Sequence, residues 1–259
     1  MTTLEKMGTA AAAQAEGRTQ QAEPQRKPAD YVHESRFGFW FLGTRTWTQR
    51  VVEVALDDLQ QLIGEPRSAY PVILDAGCGQ GKAFRPLAER FHPERIIGVD
   101  VDEAGLDAAD REAQDLGLGV ELLDRDCAAT GLPDASVDMV FCHQTLHHLA
   151  RQEETLAEFH RVLKPGGLLL VAESTSEYIG SWVIRLLFRH PMHVQKSAEG
   201  YLGIIRAAGF EFGPKNVSYP YLWWSRAKDF GLLERWHLKA PPPPGKRKET
   251  LVNVVGVKR

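Results

Sequence analysis

Cysteine is scarce in this chain of 259 residues: Cys78, Cys127 and Cys142 are all there is. Their spacing makes no metal-finger pairs and leaves one thiol over, which argues against a disulfide-stapled secreted scaffold and suits a reducing cytoplasm. No apolar run reaches the about 18 to 20 residues that a membrane-spanning helix needs. Neither sign of charge dominates, with 31 Lys and Arg against 34 Asp and Glu and a net charge of -3, so no global field draws the chain to nucleic acid. The first thirty residues lack the apolar stretch of a signal peptide. Rich in Ala, Gln, Glu and Thr, residues 1–30 read as a disordered tail, with order expected from about Tyr31. There is no internal repeat.

What remains is a composition that suits one α/β domain over residues 31–259, large enough to bury a proper core. Its most informative stretch is Val72-Ile73-Leu74-Asp75-Ala76-Gly77-Cys78-Gly79-Gln80-Gly81. An apolar strand ends at a carboxylate and the backbone turns through three alternate glycines into a helix. Glycine tolerates positive φ and close approach, and a helix start favours negative charge, so the turn reads as a ligand loop. The dinucleotide fingerprint needs a glycine where Lys82 stands, and no Gly-Lys-Ser/Thr follows for a P-loop. Strands at about 71–75, 95–100, 119–124, 137–142 and 167–173 alternate with helices near 81–91, 103–115 and 152–163. That alternation predicts a parallel sheet with right-handed crossovers. The glycine loop, Asp100, Asp126 and Cys142-His143-Gln144 all follow strand ends, where ligands bind in such sheets.

These segments, in this order, resemble class I S-adenosylmethionine-dependent methyltransferases, and within them the broad small-molecule group that includes the ubiquinone and menaquinone methyltransferases. The motifs are Asp75-x-Gly77-x-Gly79-x-Gly81, Ile96-Ile97-Gly98-Val99-Asp100, the Asp126-Cys127 pair with Leu132-Pro133, Val137-Asp138-Met139-Val140-Phe141 with Leu146-His147-His148-Leu149, and Arg161 to Gly167. The resemblance implies a doubly wound, mostly parallel, Rossmann-like seven-stranded sheet whose last strand is antiparallel. After strand five it implies a helix near Ser197 to Ala208, a strand near Glu211 to Val217 and a final strand near Thr250 to Val257. It also implies S-adenosyl-L-methionine as the cofactor. Asp75, the Gly77, Gly79 and Gly81 amides and neighbouring Cys78 would then face its methionine portion. Asp100 would hold the ribose with Val101 under the adenine, Asp126 would take the exocyclic amine beside Cys127, and His143 and Gln144 would lie nearest the sulfonium.

Around the core of about 66–175, three pieces are expected to form an aromatic helical lid over the acceptor. They are residues 31–64 with Phe37 to Leu42 and a helix from about Trp47 to Ile63, residues 176–196, and residues 218–249 ending in Pro241-Pro242-Pro243-Pro244. In the second piece Ile179, Trp182, Val183, Leu186 and Leu187 recur at helical spacing, with Arg185 and Arg189 on another face. A packed lid helix with a solvated basic face competes there with peripheral docking on a lipid surface or a grip on an anionic acceptor. Of Trp223 and Trp224, one is expected in the core. His143, His147, Glu173 and Tyr178 are the candidate acid–base or acceptor-contacting groups. His143 and His147 have helical ligand spacing, but no third ligand follows in sequence, so no metal is expected. A metalloid acceptor for the three thiols lacks a paired cysteine motif. The expected function is methyl transfer to a small, largely apolar or planar molecule, with lipid methylation or donor binding without transfer as alternatives. Nucleic-acid methylation is disfavoured because Cys142-His143-Gln144-Thr145 stands where base-amino methyltransferases carry an Asn/Asp-Pro-Pro-aromatic motif.

Overall fold

The computed structural model describes residues 32–65, 69–226, 232–243 and 245–259. The expected tail at 1–30 lies outside them, as do Tyr31 and Pro244. Helix α1 (Arg36–Leu42) and the single turn α2 (Arg45–Trp47) lead through a π-helical stretch, Thr48–Val52, into α3 (Glu53–Ile63). The core follows as β1 (Val72–Ala76), α4 (Phe84–Phe91), β2 (Arg95–Asp100), α5 (Glu103–Leu116), β3 (Val120–Asp124), β4 (Val137–His143), α6 (Gln152–Val162) and β5 (Leu163–Ser174). Then come α7 (Ser176–Ile179), α8 (Trp182–Leu187), α9 (Ala198–Ala207), β6 (Phe210–Glu211), β7 (Val217–Ser218), α10 (Leu232–Arg235) and β8 (Leu251–Lys258).

The sheet order is β3-β2-β1-β4-β5-β8-β6, with β7 also paired to β8. β1 to β5 run parallel, while β8 is antiparallel to β5, β6 and β7. The chain moves outward from β1 to β3, then restarts at β4 on the other side of β1. A crevice opens at that reversal, past the carboxyl ends of β1 and β4. Apolar runs such as Val137 to Cys142 are buried throughout because helices cover both sheet faces. One core layer gathers Leu74, Val140, Phe159 and Tyr201, the other Ile73, Phe84, Met139 and Leu56.

The expected seven strands become eight. The single strand foreseen near Glu211 to Val217 is two short ones, because Pro214 lacks an amide and opens a 3-10 turn, Pro214–Asn216, that the Asn216 side chain closes onto Gly213 N (3.1 Å). The expected helix over 176–196 also breaks: Gly180 ends α7, and Ser181, extended at ψ 145, starts α8.

Candidate functional site

The loop after β1 is held by its own backbone. Gly77 N and Cys78 N donate to Val99 O, Gly81 N donates to Cys78 O, and Gly79 N donates to Asp100 Oδ2 at 2.8 Å. The amides expected to face a ligand are therefore already engaged. What the glycines provide is close approach: Gly79 sits at φ +49 with nothing within 4 Å of where a Cβ would stand. Gly77, at φ +75, instead lies against Thr145, and Gly81, at φ +71, against Phe84, so a Cβ at either would collide. Gly81 lines neither cavity described below; packing on α4 accounts for it.

Two cavities meet at this loop, sharing Gly77, Gly79, Gln80, Gln144, Thr145 and His148 as a common wall. One, of about 450 Å³, is lined by Asp100, Val101, Asp126, Cys127, Arg125 and Arg151. Asp100 Oδ1 accepts from Val101 N and Asp102 N at 2.8 and 2.9 Å. Burial raises its pKa, and these amides with Gly79 N pull the other way. Asp126 Oδ1 accepts from Ala128 N at 2.7 Å while its other oxygen pairs with the Arg151 guanidinium.

The other cavity, of about 360 Å³, runs under the aromatic elements past Asp75, His143, His147, Tyr178, Trp223 and Trp224. Asp75 is buried, and its Oδ2 finds no hydrogen-bond partner among the described residues. Burial first, and the nearby Asp100 charge second, push its pKa up to about 8. His143 stacks on Phe141 at 5.7 Å and tilts against Trp47 at 5.7 Å. Burial, with His147 adding to it, lowers its pKa to about 3, so the ring stays neutral, and its buried Nε2 is also without a partner among the described residues. Gln144, at φ 53, carries the strained non-glycine backbone common at working sites.

A known family, described as the methyltransferase domain, matches residues 74–171. Over those residues the chain is similar to that family, which spans less than half of its length. A relative from Mycolicibacterium smegmatis, 34% identical over 146 residues, 56% of this chain and 54% of its own, is named a probable S-adenosylmethionine-dependent methyltransferase. A demethylmenaquinone methyltransferase of Thermus thermophilus is 34% identical over 127 residues, 49% of this chain and 53% of that one. An S-adenosyl-L-methionine-dependent Diels-Alderase of Talaromyces variabilis is 35% identical over 146 residues, 53% of this chain and 48% of its own. The chain thus spans about half the length of these curated relatives. A solved methyltransferase structure from Aquifex aeolicus shares the fold with a TM-score of 0.59 at 20% identity, covering 85% of this chain and 96% of that one.

Outside the matched span, residues from all three pieces expected to form a lid, among them Phe37, Val183 and Trp223, line the second cavity. Phe37 and Phe41 meet Phe188 edge-on at 5.9 and 6.0 Å, Ser35 Oγ donates to Leu187 O at 2.6 Å, and Gln80 Nε2 donates to Phe39 O at 2.6 Å. The π-helical turn aims Arg50, Val51 and Val52 at the cavity. Neither Trp223 nor Trp224 is core, contrary to expectation: both line the cavity, and Trp224 meets Tyr178 at 5.7 Å. The foreseen stripe on the second piece divides, with Ile179 buried but Trp182 and Leu186 at 69% and 74% exposure, while Ile184, outside the stripe, is buried. Glu173 lies behind the wall rather than on it. At 0% exposure it accepts from Thr145 N and Leu146 N at 2.7 Å each and bonds His147 Nδ1 at 2.6 Å. Burial raises the pKa of all three thiols and of Tyr178, so none is an anion near neutral pH. Sequence reasoning passed over Arg151, Thr145 and Gln80 as site residues. The strand-four motif that flags the loop gives no hint that Arg151 folds back to Asp126.

Proposed function

We propose that the protein transfers a methyl group from S-adenosyl-L-methionine to a small, largely apolar or planar acceptor. The observation that carries this is Asp75: a buried carboxylate oxygen without a partner among the described residues, lining the second cavity two residues before Gly77, which both cavities share. Such a group fits a cationic ligand, and the open face of Gly79 leaves room for that ligand's chain to pass. S-adenosyl-L-methionine supplies an activated methyl group on a charged sulfur. In this reading Asp75 takes the ammonium end, Asp100 the ribose hydroxyls, Val101 and Cys127 the adenine faces, and Asp126, oriented by Arg151, the exocyclic amine. Gly77, Cys78 and Gly79 form the floor, and Gly81 sets the turn beneath it.

The rest of the chain aligns the acceptor and excludes water. Alignment of the reacting atoms in one line alone lowers barriers by roughly 7 to 11 kcal/mol. The neutral His143 accepts a hydrogen bond from an acceptor hydroxyl through Nε2, but a ring with pKa about 3 does not keep a proton at pH 7. His147, held by Glu173, and Tyr178 complete the acceptor wall. Phe37, Phe41, Trp47 and Phe188 suit a flat, apolar guest. The test is to incubate the pure protein with donor and small-molecule extracts and follow S-adenosylhomocysteine and methylated product by mass spectrometry. Donor binding without product in any extract would leave a binding protein, and no donor binding would overturn the reading.

One observation favours a second reading of where the acceptor comes from. Trp40, Trp182 and Leu186 project from the roof at 62%, 69% and 74% exposure, beside Arg185 and Arg189. That combination suits contact with an anionic lipid surface from which the acceptor is drawn. Co-flotation with anionic vesicles supports it, and recovery wholly in the unbound fraction refutes it.

A further inference from the structure

At the roof of the acceptor cavity three imidazoles converge from two separate elements. His147 and His148 belong to the 3-10 turn after β4, and His190 to the segment after α8. Ring centroids lie 4.3 Å apart for His147 and His148, 5.1 Å for His147 and His190, and 4.8 Å for His148 and His190. One ring nitrogen from each falls within 4.8 Å of the others, and all three residues line the cavity.

We propose that His147, His148 and His190 form a binding site for a first-row divalent transition cation of the zinc class, with a coordination position open to the acceptor cavity. Two observations support the assignment. First, the donor set is all imidazole, the ligand type that zinc, cobalt, nickel and copper favour. Tetrahedral metal–nitrogen bonds of about 2.0–2.1 Å place ligand nitrogens about 3.3–3.4 Å apart. Rotation of the rings by about an ångström closes the set. Second, the outer partners of a metal site are present. Glu173 holds His147 Nδ1 at 2.6 Å, which leaves Nε2 to coordinate and repeats the carboxylate–histidine arrangement that orients ligands elsewhere. Gln195 Nε2 donates to His147 O and Pro191 O at 2.7 and 2.9 Å, pinning the strand of chain that bears His190 to the turn that bears the other two.

Three protein ligands and one vacant direction are the pattern of a reactive rather than a structural site. The vacant direction faces the space assigned above to the acceptor, so an oxygen or nitrogen of that molecule can be the fourth ligand; this role, though not the site itself, rests on the methyl-transfer reading. The test uses the full chain, stripped with EDTA and titrated with cobalt(II) alone. One equivalent is expected to produce the visible absorption bands of nitrogen-ligated four- or five-coordinate cobalt, and zinc(II) to abolish them. His190→Ala and His148→Ala are expected to weaken cobalt binding by at least about tenfold, and Glu173→Gln by about 10- to 100-fold. The exposed neighbour control, His193→Ala, keeps full affinity. Circular dichroism selects folded variants, and His190→Gln stands in if His190→Ala does not fold. No stoichiometric band, or an undiminished band in a folded His190 variant, would overturn the site. Because cobalt binding is read without donor or acceptor, its failure leaves the methyl-transfer reading standing, and the converse also holds.

Discussion

Gly77 and Gly79 lie two residues apart, share positive φ, and face opposite constraints. A Cβ on Gly77 would come within 2.3 Å of Thr145, whose amide is tied to the buried Glu173. Gly77→Ala is therefore expected to destabilise the fold by about 1–3 kcal/mol, measurable by urea unfolding. At Gly79 the space is open, so Gly79→Asp costs only about 1 kcal/mol of backbone strain but places a charged side chain on the proposed path of the donor. Calorimetry is expected to show donor affinity falling more than tenfold with the melting curve little moved. Equal donor affinity in wild type and Gly79→Asp would remove the glycine loop from the site. Asp75 gives a pH dependence at the same scale. Its folded pKa of about 8 stands above the ordinary 3.8, so the folded chain binds the extra proton between those values. By linkage its burial costs nothing below about pH 4, and stability declines as pH rises toward 8, with a slope up to about 1.4 kcal/mol per pH unit from this group. Asp75→Asn removes that decline, which denaturant unfolding at pH 5 and pH 8 measures. In the proposed reading it also removes the charge that receives the ammonium, so wild-type donor binding is expected to release a proton near pH 7, and the variant is expected to bind more weakly and without that release in calorimetry across two buffers.

Elements differ in how far local sequence determines them. β1, β2, β4 and their following turns were legible because strands buried on both faces become unbroken apolar runs, and a carboxylate at the strand end marks where the chain leaves the sheet. The roof was legible in composition but not in shape. α7 and α8 have 4 and 6 residues, too few to stand without tertiary contacts, so periodicity over 176–196 suggested one helix where Gly180 and Ser181 separate two. The π-helical Thr48–Val52 was equally hidden, since one extra residue in a turn barely alters an apolar pattern. Candidate site residues were legible where they lie at or just past strand ends, as at Asp75, Asp100 and Asp126. His190 was not, because tethers distant in sequence, such as those of Ser35 and Gln195, bring its segment over the cavity. Since Phe41 links Phe37, Trp47 and Phe188 within 6.1 Å, Phe41→Ala is expected to open the roof while leaving the donor cavity intact. Steady-state assays are then expected to show the acceptor KM raised about tenfold or more and the donor KM within about twofold, consistent with about 1.5–3 kcal/mol of aromatic burial lost on the acceptor side alone.

At the scale of the molecule, the two cavities join the β1, β2 and β4 ends to pieces from both ends of the sequence, so a ligand seated there couples lid and sheet. Ser218 and Asn253 both bond Asp58 on α3, Trp224 Nε1 donates to Arg50 O at 3.3 Å, and Gln80 holds α1, so the lid is fastened to the glycine loop and to the antiparallel edge alike. A ligand that binds only the folded state raises its stability by mass action, about 2.7 kcal/mol at a hundredfold excess over Kd. For a chain this size each kcal/mol moves Tm by about 2–4 °C, so saturating S-adenosylhomocysteine is expected to raise Tm by about 5–10 °C. The shift is expected to appear as one transition, because core and roof share the ligand and the tethers. In Asp100→Ala, which lacks the carboxylate that holds Gly79 N and that is proposed to hold the ribose, the shift is expected to shrink below about 2 °C at the same concentration. A two-step melt in which only the lower step responds to ligand would show instead that the roof unfolds apart from the sheet and that donor binding is confined to one of them.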